Sequence, residues 1–323
     1  MTHTTVAVRR GSTRQSAGSD TPRPVLSPAL VLLAAVLAIS WAGPLIRFTD
    51  APALAVAAWR LTLSTLVILP LLWRNRASLS LLNSRDVTLA LVAGAFLAVH
   101  FWAWIASLEF TTVASSVVLV SMQPMFVAGL SILFLRERPH ALQWAGVLVG
   151  IAGAALIGWG DFRGGSAALW GDTLALSGAL FVSVYYVIGR ELRQKLDLWS
   201  YTGLVYGTAA IILLIACVVM PGVELTGYDA RDWLVFAALA AGPMMIGHTG
   251  INYALRYLPA YLANLAALGE PVGAMLLAWL LPAIRETPTA MGLFGSALVL
   301  SGILLGTWRR ADEKQSELRS EFK

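Results

Sequence analysis

Cysteine is almost missing. Cys217 stands alone in 323 residues, which excludes a disulfide framework and any cluster of thiolate metal ligands. Lysine is nearly as scarce, with Lys195, Lys314 and Lys323 the full set, and no G-x-x-x-x-G-K stretch occurs, so no P-loop is present to cradle ATP. Zinc signatures of the H-E-x-x-H and H-x-E…C-x-x-C kinds are absent. A serine nucleophile elbow is also absent, as are the repeated charged rings or filter loop of a channel. An enzyme is not expected, and neither a metal nor a cofactor is implied. Charge as a whole is low at 13%, against 58% hydrophobic residues and a mean hydropathy of +0.72. That balance excludes a soluble domain.

What the chain does have is long apolar runs. Crossing a hydrocarbon core of about 30 Å takes about 20 helical residues, and ten runs qualify. They are 29–46, 52–73, 87–107, 112–135, 141–159, 169–189, 199–220, 233–254, 260–281 and 289–308. Loops between them are short, so the fold class is an all-α integral membrane protein with ten transmembrane helices. Residues 1–28 read as a flexible, polar tail. The first apolar run is too long, and too far from the start, for a signal peptide. Residues 309–323 form a charged C-terminal tail.

Basic residues set the expected orientation. With the N-terminus in the cytoplasm, cytoplasmic segments hold 18 of the 23 Lys and Arg, while the opposite loops hold only Arg47, Arg163, Arg231 and Arg285. Both termini are therefore expected to be cytoplasmic. The formal charge of +5 needs no nucleic-acid partner, because basic loops facing an anionic leaflet account for it.

The two halves repeat each other. An offset of 147 brings Pro124 onto Pro271 and Leu108 onto Leu255; an offset of 149 brings Glu137 onto Glu286, Gly146 onto Gly295, Gly153 onto Gly302 and Trp159 onto Trp308. Each half, 29–159 and 169–308, holds five spans. An odd number inverts the second repeat relative to the first, the build of many secondary transporters with a site near the midplane.

Several residues are out of place in hydrocarbon. Glu270, beside Pro271, is about halfway along the ninth span, at 1.5 Å per residue. An intramembrane carboxylate normally faces a bundle interior or a watery path. Two readings stand: a carboxylate accepting hydrogen bonds from a neighbouring helix at the Pro271 kink, which is the one expected, or a coupling proton site. Arg60 is at similar depth in the second span. It can pair with Glu270, snorkel toward the headgroups, or clamp a substrate carboxylate with its planar fork. Gln123 occupies the matching slot before Pro124, the second expected kink, as a neutral amide. His100 and Trp104 share one face of the third span, and His248 and Asn252 one face of the eighth. With Tyr185 and Tyr186, these would make a cavity of aromatic walls and a few polar groups. Trp73, Trp159, Trp199 and Trp308 read as interfacial anchors, with Trp102 a further candidate. The glycines of "GVLVG" (Gly146 to Gly150) and "GILLG" (Gly302 to Gly306) read as helix-packing motifs, expected within the fold rather than between protomers.

On these residues the chain resembles the drug/metabolite transporter superfamily with tandem EamA domains. The resemblance spans residues 29–308 and is carried by Trp41, by "WRLTLSTLVIL" opening with Trp59 and Arg60, by "GEP" at Gly269 to Pro271, and by the "RER" and "RET" turns holding Glu137 and Glu286. Two departures are Trp-Ala-Gly in place of Trp-Gly, and Gln123 in place of Glu before Pro124. The resemblance implies two inverted five-helix repeats and export of amino acids or related metabolites. Within the superfamily the chain looks most like the YddG type of aromatic amino-acid exporter. Sugar-phosphate transport would call for more basic groups than Arg60, and small multidrug exporters use a first-helix carboxylate that the first span lacks. A small-molecule substrate and the lipid bilayer are the expected partners, in the cell inner membrane, as a monomer or homodimer.

Overall fold

The computed structural model describes residues 24–111, 113–158, 165–281, 287 and 289–321. Most of the expected N-terminal tail, the Trp159 anchor, Arg163, and the Arg285, Glu286 and Pro288 turn lie outside them. The described residues form helices and turns without a strand. Among the described residues nine stretches are long and apolar enough to cross a membrane: α1 (Pro28–Ile46), α2 (Ala53–Arg74), α3 (Ser84–Phe110), α4 (Ser115–Leu135), α6 (Ser166–Leu192), α7 (Leu198–Val219), α8 (Ala230–Ala254), α9 (Ala260–Leu277) and α10 (Ala290–Thr307). The shorter apolar helix α5 (Ala141–Ile157) comes between α4 and α6. The backbone helix that begins α10 runs on to Glu321, with no break where the charged C-terminal tail was expected to begin. That segment is rich in Glu, Lys, Arg and Ala, which are strong helix formers.

Burial follows membrane logic. Leu30, Leu33 and Leu37, spaced along one face of α1, are 67%, 58% and 58% exposed, while Arg60 and Asn264 are 1% and 0% exposed. An outward face this apolar, around an interior this polar, is compatible only with lipid as the surrounding solvent. Trp73 is exposed at the end of α2, as an interfacial anchor should be. Trp102 instead packs against the core well inside α3, so it is a core residue rather than an anchor. Asparagine or aspartate starts three of the helices, with Asp229 accepting from the Asp232 amide at α8. Asn83 forms a reciprocal capping box with Asp86 at α3, and Asp197 accepts from the amides of Trp199 and Ser200 at α7, which satisfies N–H groups that no intrahelical carbonyl can reach.

Packing is pairwise and regular. α3 lies along α6, α1 along α8, α2 along α7, and α5 along α10; α4 meets α9 and α6, α1 meets α9, α3 meets α7, and α2 meets α8. α5 and α10 meet backbone to backbone. A Cβ added to Gly146 would come within 2.6 Å of the Gly302 carbonyl, and one added to Gly153 within 2.5 Å of the Gly295 carbonyl. Only glycine permits backbones to meet at this distance. The glycine motifs therefore pack within the fold, as their spacing indicated.

Candidate functional site

Four helices are interrupted, and their interruptions converge. α1 breaks at a turn over Ser40 and Trp41, between Pro28–Ile39 and Ala42–Ile46. In α4 a turn over Ser121 and Met122 precedes a fresh start at Gln123–Leu130, with Pro124 in its first turn. In α9 the backbone tightens to a 3-10 turn over Ala266–Gly269 and restarts at Glu270–Leu280, with Pro271 in its first turn. Proline is tolerated there because the first N–H groups of a helix lack intrahelical partners anyway. Pro124 and Pro271 thus mark true breaks rather than gentle bends. α8 widens to a π-helix over Ala240–His248 with Pro243 inside it, a departure that absorbs the missing proline N–H and re-aims the residues that follow.

The carbonyls near these breaks find partners on adjacent helices. Ser183 Oγ donates to the Gln123 carbonyl at 3.1 Å, Ser40 Oγ to the Glu270 carbonyl at 3.4 Å, and Ser64 Oγ to the Ala240 carbonyl at 3.4 Å. Irregular backbone at membrane depth survives where it is buried in protein and satisfied in this way.

Between the breaks is a small, partly open cavity lined by Ile39, Ala42, Arg60, His100, Phe101, Trp104, Val120, Gln123, Tyr186, His248, Ile251 and Glu270. Seven of the nine predicted site residues are in this wall. The Arg60 guanidinium lies 4.1 Å above the Phe101 ring, a cation–π contact worth about 0.5–2 kcal/mol. Its Nε and Nη1 are buried with no hydrogen-bond partner. At 1% exposure, Arg60 does not snorkel. Nor, among the described residues, does an ion pair within 4.0 Å join it to Glu270. The expected structural role of Glu270 is corrected too: among the described residues none donates a hydrogen bond to its carboxylate, and only its backbone carbonyl is engaged. The physical reason is that the serines of neighbouring helices reach the freed carbonyls instead, which leaves the acid facing the cavity.

The aromatic and imidazole groups interlock. His100 stacks on Trp104 with ring centroids 6.4 Å apart and planes 5° apart, and its Nδ1 is 2.8 Å from the Gly178 carbonyl. His248 Nδ1 is 3.1 Å from the Tyr186 hydroxyl, and its ring stands edge-on to Phe101 at 5.0 Å. Trp104 Nε1 has no partner. Tyr185 and Asn252 were expected in the wall but stand behind it. The Asn252 amide donates to the hydroxyls of Tyr185 and, at 3.3 Å, Tyr206, and to the His248 carbonyl at 2.8 Å. They buttress the wall because a helix turn that points His248 inward sends Asn252 toward α6 and α7. Phe101, Ile39, Ala42, Val120 and Ile251 were not anticipated. Ile251, three residues after His248 on one face, could have been found by helical spacing; the others look like any core residue.

One end of the bundle is latched by a single carboxylate. Glu137, just past α4, accepts from Arg190 Nε of α6 at 2.8 Å and from the Ala260 amide that opens α9 at 3.0 Å. Arg190 also donates to the Leu255 carbonyl at 2.7 Å and the Arg256 carbonyl at 3.2 Å, in the turn between α8 and α9. Arg136, with φ +57°, turns the chain to present Glu137.

Comparison with known proteins agrees with this geometry. An uncharacterized transporter of Archaeoglobus fulgidus is 27% identical over 282 residues, covering 87% of this chain and 96% of that protein. The uncharacterized transporter YdfC of Bacillus subtilis is 26% identical over 254 residues, covering 77% and 79%. A crystal structure of another protein shares the fold with a TM-score of 0.71 at 22% identity, over 88% of this chain and 98% of that one. The EamA-like transporter family matches twice, over residues 26–159 and 169–308. This chain is a multi-pass membrane transporter, not an enzyme, and belongs to the EamA-like transporter family.

Proposed function

We propose that the chain is a secondary transporter that exports amino acids, aromatic ones among them, by alternating access around the cavity between Arg60 and Glu270. The observation that carries this reading is the cavity itself. A guanidinium with two unbonded N–H groups, and a carboxylate to which none of the described residues donates, share walls with Trp104, Phe101 and Tyr186 where four helices break. Broken helices at mid-depth are where transporter sites form. One positive and one negative group favour a small cargo carrying both signs over a sugar phosphate, which would meet repulsion from Glu270.

Ten membrane helices in two inverted repeats, 29–159 and 169–308, complete the reading. Exchanging each helix for the one five places along turns α1 on α8 into α6 on α3, α1 on α9 into α6 on α4, and α3 on α7 into α8 on α2, all packed pairs. The Gly146 and Gly302 contact becomes that of Gly295 and Gly153. α5 is then a full span despite its length, and both termini face the cytoplasm of an inner-membrane protein. In that orientation the Glu137 latch closes the cytoplasmic end.

Purified protein in liposomes loaded with labelled phenylalanine should show counterflow that other amino acids compete for, and that sugar phosphates and quaternary ammonium ions do not. Ready movement of sugar phosphates with no amino acid moving would overturn the cargo assignment.

A further inference from the structure

We infer that Arg60 and Glu270 form a two-ended clamp for the head group of a zwitterion, with Arg60 holding its carboxylate and Glu270 its ammonium. The inference rests on the transporter reading above and names what that site selects. A buried N–H left unpaired is destabilising, and Arg60 carries two, on Nε and Nη1. Each bidentate edge of the guanidinium, Nε with Nη2 and Nη1 with Nη2, therefore has an open donor. Among the described residues none completes either edge, although the side chain is fixed in place by Phe101 beneath it.

A planar fork held rigid with its donors unused is shaped for a carboxylate. Across the same cavity the Glu270 carboxylate lacks a hydrogen-bond donor from the described residues. A purely structural pair would be expected to close on itself, since two isolated charges are costly in a low-dielectric interior. The two line one cavity without bonding each other. A ligand with a carboxylate and an ammonium satisfies both ends and leaves the net charge of the cavity unchanged. An anion satisfies only Arg60 and a cation only Glu270, and each meets repulsion at the other end. The unpaired Trp104 Nε1 and the Tyr186 ring remain for the substrate's side chain.

The experiment compares matched ligands on the full-length protein in nanodiscs, with binding read from the ligand-dependent rise in unfolding temperature. L-phenylalanine is set against phenethylamine, which lacks the carboxylate, and 3-phenylpropionate, which lacks the ammonium. L-leucine is set likewise against isoamylamine and 4-methylpentanoate. Each amino acid should bind at least tenfold more tightly than either of its analogues. This arm needs no variant and so does not depend on a substitution folding. In Arg60→Lys, amino-acid affinity should fall at least tenfold with amine affinity unchanged. In Glu270→Gln, amino-acid and amine affinity should fall while acid affinity rises, because the repulsion at that end is gone. Amines or acids binding as tightly as the amino acids would overturn the clamp. Sugar phosphates or quaternary ammonium ions that bind and are transported while amino acids do neither would sink the clamp and leave a transporter standing. Failure of every compound to bind or move would sink the clamp and the cargo assignment together.

Discussion

At the scale of single residues, Glu270 gives the sharpest contrast between sequence and structure. A charge in mid-span reads as structural glue when only the neighbouring Pro271 is known, because a kink frees backbone groups that need partners. The geometry assigns those partners to Ser40, Ser64 and Ser183, small residues whose roles depend on which helix lies opposite. Glu270→Leu should therefore keep the fold in detergent, since among the described residues no hydrogen bond to the Glu270 carboxylate is lost. Transport should be abolished. A Leu variant that fails to fold would restore the structural role. Polar outliers such as Arg60, Gln123 and His248 were legible because hydrocarbon makes them conspicuous. Phe101 was not, since an aromatic ring in an apolar helix looks the same whether it packs a core or holds a guanidinium.

At the scale of elements, the breaks decide what the helices can do. Pro124 and Pro271 announced theirs, and Pro243 stands inside the π-helix of α8, whereas the turn over Ser40 and Trp41 in α1 holds no proline to mark it. α5 and α10 take no part in the cavity wall and instead meet backbone to backbone. Gly302→Ala should cost about 1–3 kcal/mol through overpacking, because its Cβ would lie 2.6 Å from the Gly146 carbonyl and the Gly150 amide. Gly242→Ala, where no neighbour lies within 4 Å, should be tolerated, and equal losses at the two positions in thermal unfolding would contradict the packing account. The Glu137 latch joins three elements through one side chain, so Glu137→Ala should loosen that end of the bundle. With the native Cys217 replaced by alanine, Ala42→Cys in the cavity wall should react faster with a bulky maleimide once Glu137 is removed. Unchanged labelling would mean the latch does not govern access.

At the scale of the whole molecule, membrane class and nine of the ten expected apolar spans were legible, because each is written in long stretches rather than in single contacts. Orientation is a different kind of inference, since no membrane enters the geometry and only the distribution of charge bears on it. Eighteen basic residues on one side against four on the other is a strong asymmetry under the positive-inside rule, which acts through short loops like these. The proposed orientation puts the latch at the cytoplasmic end, because Glu137 and Arg190 belong to the basic side. Cysteine labelling tests this in a Cys217→Ala background, where the native thiol, 2% exposed, cannot contribute signal. Ser166→Cys and Thr226→Cys place thiols at exposed positions on the sparsely charged side, and Gln194→Cys places one on the basic side. The glycines at Gly165 and Gly227 are poorer sites, since their φ values of 129° and 90° strain any residue with a side chain. In intact cells a membrane-impermeant maleimide should label the first two and spare the third until the membrane is permeabilised. The reverse pattern would invert the protein in the bilayer and move the Glu137 latch from the cytoplasmic to the outer end. Labelling of Ser166→Cys and Thr226→Cys from opposite sides would instead leave an odd span count between them and break the inverted repeat.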